Sequence, residues 1–133
     1  MQYLADQKPE SGLAPKIGTM ERYRLQEWLN FVSSELHKAM GTFFNPAVTP
    51  EWGKWVGDLL ALCSEWLAKQ LDGKPYLMGD KFSVADAYLF TVLNWAPIVK
   101  FDLGRWPVLV EFQKRIGARP KVQEALRAEG LAN

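Results

Sequence analysis

The stretch Phe82-Ser83-Val84-Ala85-Asp86-Ala87-Tyr88-Leu89-Phe90-Thr91-Val92-Leu93-Asn94-Trp95-Ala96-Pro97 contains a helix start, a helix body and a helix stop. Ser83 and Asp86 stand at the spacing of a capping box: the Ser83 side chain reaches the Asp86 N–H, and the Asp86 side chain returns a bond to the Ser83 N–H. A carboxylate in the first turn also meets the positive end of the helix dipole. From Val84 onward the apolar residues leave no polar face. This helix is therefore expected at the centre of the domain, covered on every side. Pro97 has no N–H to offer and ends or kinks it.

The flanking sequence reads as further helices. Leu25, Trp28, Leu29, Val32, Leu36 and Met40 recur at three- and four-residue steps and predict a helix from about Met20 to Met40. Gly41 and Asn45-Pro46 stop it. Thr49 and Pro50 suit the start of a second helix, which runs to about Leu71. Its Trp52, Trp55, Val56, Leu59, Leu60, Leu62, Cys63, Trp66, Leu67 and Leu71 cover more than half its circumference, which implies two packing partners. After Tyr76–Phe82 and the central helix, residues from about Pro107 to Ala118 place Leu109, Phe112 and Ile116 on one face. Pro120 opens a last helix with Val122, Ala125 and Leu126 inward and Gly130 as its stop. No segment alternates as a strand does. The expected fold is all-α, a bundle of five helices (four to six) packed antiparallel or orthogonally.

Ahead of the first long helix, residues 7–19 hold two prolines and two glycines and read as a linker without regular structure. Tyr3 and Leu4 just before it suit the last turn of a helix. Residues 1–16 are thus expected to be the remnant of a preceding domain's last helix plus an interdomain linker, with the helical domain at 17–133.

Composition excludes several classes of function. With 48% hydrophobic and 13% aromatic residues in 133, the chain can build a packed core. A net charge of +1 gives no field to attract nucleic acid or an anionic membrane. The apolar block from Val84 to Val99 is shorter than the roughly 20 residues of a membrane span. A single cysteine, Cys63, excludes an internal disulfide and any zinc site built on several cysteines, and no metal site is expected. Cys63 sits among Leu59, Leu60, Leu62, Trp66 and Leu67, where it is expected to be an inert core thiol. Met1–Asp6 carries no secretion signal, so the cytoplasm is the expected compartment.

Five segments, in order, resemble one known domain. Phe82–Ala87 resembles the buried capping box of glutathione transferase C-terminal domains. Gln2–Asp6 resembles the end of the last helix of that family's thioredoxin-like domain. Arg119-Pro120-Lys121-Val122, then Ala125-Leu126, then Glu129-Gly130-Leu131, resemble its C-terminal end. Glu27–Phe31, Ser34–Lys38 and Asn94–Pro97 are similar to the bacterial beta class. The resemblance implies the helical C-terminal domain of a transferase that adds the sulfur of glutathione to electrophiles or runs thiol–disulfide chemistry. Glutathione is then a substrate, and no cofactor is implied. It also implies a homodimer. The class's thiol-bearing cysteine, its cis-proline segment and its Glu-Ser pair belong to the thioredoxin-like domain and have no counterpart here.

At about 100° per residue, Asn30, Ser34 and His37 fall within roughly 60° of one another, opposite the apolar stripe. The resemblance assigns contact with glutathione to Asn30 and to Ser34, Glu35, Leu36, His37 and Lys38. An amide, a hydroxyl and an imidazole suit a ligand with two carboxylates and several peptide groups. His37, the sole histidine, is expected to position the thiol and not to act as a general base. No residue here is expected to be catalytic with certainty. Phe43, Phe44 and Trp95 are the candidate walls of a pocket for a small hydrophobic electrophile. Tyr23 and Tyr88 are set aside as thiol activators, because the family's activating tyrosine lies in the other domain. The competing expectation is a non-catalytic interaction module that uses its wide apolar faces on a partner chain. A carrier of small hydrophobic ligands has no motif to support it.

Overall fold

A computed structural model describes residues 1–131; the end of the expected 17–133 domain, residues 132 and 133, lies outside them. The described residues form α-helices with short 3-10 turns and no strand. The α-helices are α1 (Gln2–Asp6), α2 (Met20–Phe31), α3 (Lys38–Thr42), α4 (Pro50–Leu71), α5 (Val84–Leu93), α6 (Pro107–Gly117) and α7 (Pro120–Ala128). A π-helical segment, Val32–His37, joins α2 to α3 without a break, so the first long rod is one unit, as the sequence suggests. Thr49 caps α4 by accepting from the Trp52 N–H at 3.3 Å.

α5 lies at the centre. It packs against α2 and the π segment on one side and against α6 on the other. Val84, Ala85, Asp86, Leu89, Phe90, Val92 and Leu93 are buried. The capping box forms, and Asp86 does more than a cap requires. Its Oδ2 accepts from the Ser83 N–H and the Ser83 hydroxyl, each at 2.8 Å, and its Oδ1 accepts from the Leu77 N–H at 2.8 Å. One buried carboxylate therefore fixes both the helix start and the turn that precedes it. Arg119 stacks over the Phe82 ring at 3.9 Å and donates to the Tyr76 hydroxyl at 3.3 Å. In this way the Arg119-Pro120 segment is held against the capping-box segment.

α5 stops at Leu93, four residues before Pro97. A helical residue at 97 would donate its N–H to the Leu93 carbonyl, and proline has none to give. The Ala96 N–H takes that acceptor at 3.1 Å. The chain then closes with the Phe101 N–H on Ala96 O at 2.8 Å and the Lys100 N–H on Pro97 O at 3.3 Å, around Lys100 at φ 58°. This is a Schellman closure with lysine where glycine is usual.

The expected core faces of the first rod and of α6 are observed, and that of α4 in part. Leu25, Val32, Leu36 and Met40 are fully buried, as are Leu60 and Leu67, and Leu109, Phe112 and Ile116. α7 differs. Ala125 is exposed, and its apolar neighbours Val122 and Leu126 are no more than half-buried. The last helix lies at the rim of the bundle and contacts α6 alone among the helices it meets closely, so it has a single narrow face to cover. α4 buries one face, while Trp52, Trp55, Leu62 and Trp66 on its other side stay exposed.

Residues 7–19 are more ordered than their composition suggests. Pro9–Ser11 makes a 3-10 turn, and the Leu13 carbonyl accepts from the Val84 N–H at 2.9 Å. α1 is tied down by Arg22, a buried residue of α2. Its guanidinium makes a two-pronged 2.7 Å pair with Asp6, donates to Gln2 at 3.0 Å and to the Pro15 carbonyl at 2.9 Å. The Arg22 hydrogen bonds hold the Asp6 carboxyl below its ordinary range.

Two stability changes follow. Asp86→Ala strands the Leu77 and Ser83 N–H groups in the interior, and is expected to cost about 2–4 kcal/mol in chemical denaturation. Lys100→Gly removes the left-handed penalty at that residue, and is expected to raise stability by about 0.5–1 kcal/mol in the same assay.

Candidate functional site

The π segment is where the candidate ligand contacts gather. A π turn holds more residues than an α turn, so the even 100° step does not carry through it. The expected row of Asn30, Ser34 and His37 consequently splits. Asn30 and Ser34 are exposed, and the Ser34 hydroxyl lies 3.0 Å from the Asn30 carbonyl and 2.8 Å from Glu35 Oε1. His37 turns inward and is half-buried against α5. Its Nδ1 lies 2.6 Å from the Tyr88 hydroxyl. Lys38 is exposed beside it. Leu36 is fully buried in the core, so only its backbone could meet a ligand.

Among the pocket candidates, Trp95 and Phe44 lie with His37. The His37 and Trp95 rings meet edge to face with centroids 4.8 Å apart, and Trp95 meets Phe44 in the same way at 5.5 Å. Phe44 is half exposed. Tyr88, His37, Trp95 and Phe44 thus form one continuous aromatic string that runs from the half-buried Tyr88 to the exposed Phe44. Phe43 is not part of it; it packs on the core near Val48 and Gly53.

The segment that carries Trp95 is clamped from α6. Gln113 Nε2 donates to Asn94 Oδ1 at 2.8 Å and to the Phe90 carbonyl at 3.3 Å. Two open grooves of about 470 and 440 Å³ lie elsewhere. One is lined by Leu71, Pro75, Pro107 and Arg115, and the other by Trp28, Phe31, Trp66 and Met78. In the second, Trp66 packs on Phe31 at 4.6 Å and on Trp28 at 5.5 Å.

Neither Tyr88 beside His37 nor Gln113 beside Asn94 is suggested by sequence spacing. Each pair joins helices far apart in the chain, and no local periodicity reports it. Cys63 lies in the core, where burial first and the Glu35 charge second push its thiol above the ordinary range. Thiolate is therefore scarce in the folded state at neutral pH, and Cys63 is expected to resist alkylation until denaturant is added. Timed labelling with iodoacetamide followed by mass spectrometry checks this.

Comparison with known proteins places the chain among relatives. Residues 54–120 match the model of the glutathione S-transferase C-terminal domain. The chain is 40% identical over 131 residues to glutathione S-transferase GstA of Escherichia coli O157:H7, covering 98% of this chain and 65% of that protein. In structure it is similar to BphK, a bacterial glutathione transferase solved as a ternary complex, with TM-score 0.96, 55% identity, and 98% and 65% of the two chains covered. It is also similar to a sphingomonad glutathione S-transferase complexed with glutathione, with TM-score 0.92, 42% identity and the same coverage. The chain thus spans about two-thirds of the length of these relatives.

Proposed function

Because the chain belongs to the glutathione S-transferase family and is similar to its bacterial beta-class members, we propose that it forms the helical part of an enzyme that joins the glutathione thiol to electrophiles. In this reading Asn30, Ser34, Glu35, His37 and Lys38 meet glutathione with their side chains, and Leu36 with its backbone. Trp95 and Phe44 flank a small hydrophobic co-substrate, with Phe43 behind them. A thioredoxin-like domain, which these 133 residues do not include, supplies the rest of the glutathione site. Residues 17–133 act as the helical domain, and residues 1–16 lead into it from that partner domain.

The observation that carries this reading is the packing of His37 against Trp95, with Phe44 beyond. A polar group suited to a sulfur atom stands at 4.8 Å, ring to ring, from an apolar wall. A thiol and an apolar electrophile bound on the two sides of that contact would be held in proximity, which is a large part of what bimolecular catalysis requires. In this chemistry the thiol gives up its proton, the thiolate attacks the electrophilic carbon, and the new C–S bond forms as the leaving group, halide from an aryl halide, departs with its bonding electrons.

The exposed residues of α4, Trp52, Trp55, Leu62 and Trp66, suit a homodimer contact. The same face favours the alternative reading, an interaction module without catalysis. No helix among the described residues is long and apolar enough to cross a membrane, and we place the enzyme in the cytoplasm.

The chain alone is expected to give no conjugation of a chromogenic aryl halide above the uncatalysed rate. Fused behind the thioredoxin-like segment of the Escherichia coli relative, it should conjugate measurably, and His37→Ala in that chimera should lower kcat/KM about tenfold or more. Clear turnover by the chain alone would contradict this reading. So would a folded chimera that fails to bind millimolar glutathione, an outcome that favours the interaction module.

A further inference from the structure

We propose that Tyr88 is a positioning residue for His37: its hydroxyl donates to Nδ1, leaves the ring proton on Nε2, and so presents the imidazole to the glutathione sulfur as a hydrogen-bond donor. The part of this inference that names the sulfur rests on the function proposed above. The part that concerns the tautomer does not.

Donor and acceptor strength assign the direction of the bond. The Tyr88 oxygen and His37 Nδ1 are 2.6 Å apart. A bond this short fits either direction, and the chemistry of the two groups decides it. A phenol is the better donor of the two and a poor acceptor, while a neutral imidazole nitrogen is a strong acceptor. Among the described residues, His37 is the hydrogen-bond partner found for the Tyr88 hydroxyl, so nothing else competes for its proton. A neutral imidazole carries one N–H. If Nδ1 accepts, that N–H is on Nε2.

The ring is also held in orientation. Tyr88 meets it edge-on with centroids 5.7 Å apart, and Trp95 meets it edge-on at 4.8 Å on another side. Rotating the ring by half a turn would take Nδ1 away from the tyrosine and leave a half-buried hydroxyl without this partner, an unfavourable exchange. The height of Tyr88 is itself fixed, since it follows Asp86 by two residues in the first turns of α5, where the carboxylate network locks the helix start.

The consequence is chemical. An Nε2 lone pair facing a thiol would draw its proton and work as a base. An Nε2 N–H facing the same sulfur lends its hydrogen to the lone pairs of a thiolate and stabilises the nucleophilic form. Tyr88 therefore decides which of two roles His37 can take, without touching the ligand.

His37 is the single histidine, so its two ring nitrogens are readable without assignment. The test is a long-range ¹H–¹⁵N correlation spectrum of the ¹⁵N-labelled chain at mildly alkaline pH, without glutathione. We expect one tautomer, Nε2–H, with the Nδ1 resonance displaced from that of a free acceptor nitrogen. In Tyr88→Phe, which keeps the ring and loses the hydroxyl, that resonance should move to the free-acceptor position. An Nδ1–H tautomer in the natural chain, or an Nδ1 resonance unchanged by Tyr88→Phe, overturns the proposal. If circular dichroism shows that the variant does not fold, the tautomer of the natural chain decides alone. In the chimera described above, glutathione should then shift the Nε2–H signal. A chimera that binds glutathione with no such shift removes the sulfur from the proposal, and one that binds none at all counts against the proposed function while the tautomer result stands.

Discussion

The carboxylate of Asp86 has no exposed surface, and a charge in that position is tolerable only if its oxygens are filled with donors. Three bonds do this, two from Ser83 and one from Leu77. Burial pushes its pKa up and these bonds pull it back, with burial the larger effect. The carboxylate therefore belongs to two elements at once. It closes the 72–82 turn onto the start of α5 and sets where that helix sits along its own axis. Everything that touches α5 inherits that position: the π segment and α2 on one side, α6 on the other.

The site depends on a second departure from regularity. A straight α-helix from Met20 to Thr42 would have kept Asn30, Ser34 and His37 in one outward row. The π segment spends an extra residue per turn, and π turns of this kind recur where function needs a side chain re-aimed. Here Ser34 stays at the surface while His37 is delivered to Tyr88 and Trp95. On the far side of Trp95, the Gln113–Asn94 bond holds the backbone that carries it. The candidate contacts of the ligand are thus supported from two different helices, α5 through Tyr88 and α6 through Gln113.

Some of this architecture can be read directly from particular residues. Leu109, Phe112 and Ile116 recur at helical spacing, and all three are fully buried. Thr49-Pro50 and Gly130 mark helix ends where they should. Other features are invisible locally. Arg22 looks like one more polar residue of an amphipathic helix, yet it is buried, because Asp6, Gln2 and Pro15 surround it from the other side. Lys100 takes a left-handed conformation that its type does not advertise, because the chain must reverse sharply after Pro97. Ala125 reads as a core position but is exposed, since α7 lies at the rim with one neighbouring helix to cover it.

From its sequence alone, the chain is determined to be all-helical, with a central α5 begun by Ser83 and Asp86 and apolar faces on the helices around it. These properties follow from interactions within a few residues of one another: periodicity, capping and the missing N–H of proline. Only the tertiary structure decided that His37 faces Tyr88, that Phe44 joins the aromatic string while Phe43 does not, and that the linker carbonyl of Leu13 is held by Val84. Those contacts join residues separated by tens of positions, and their geometry depends on the axial placement of α5 and on the π turn. Neither quantity is encoded in the spacing of any one segment.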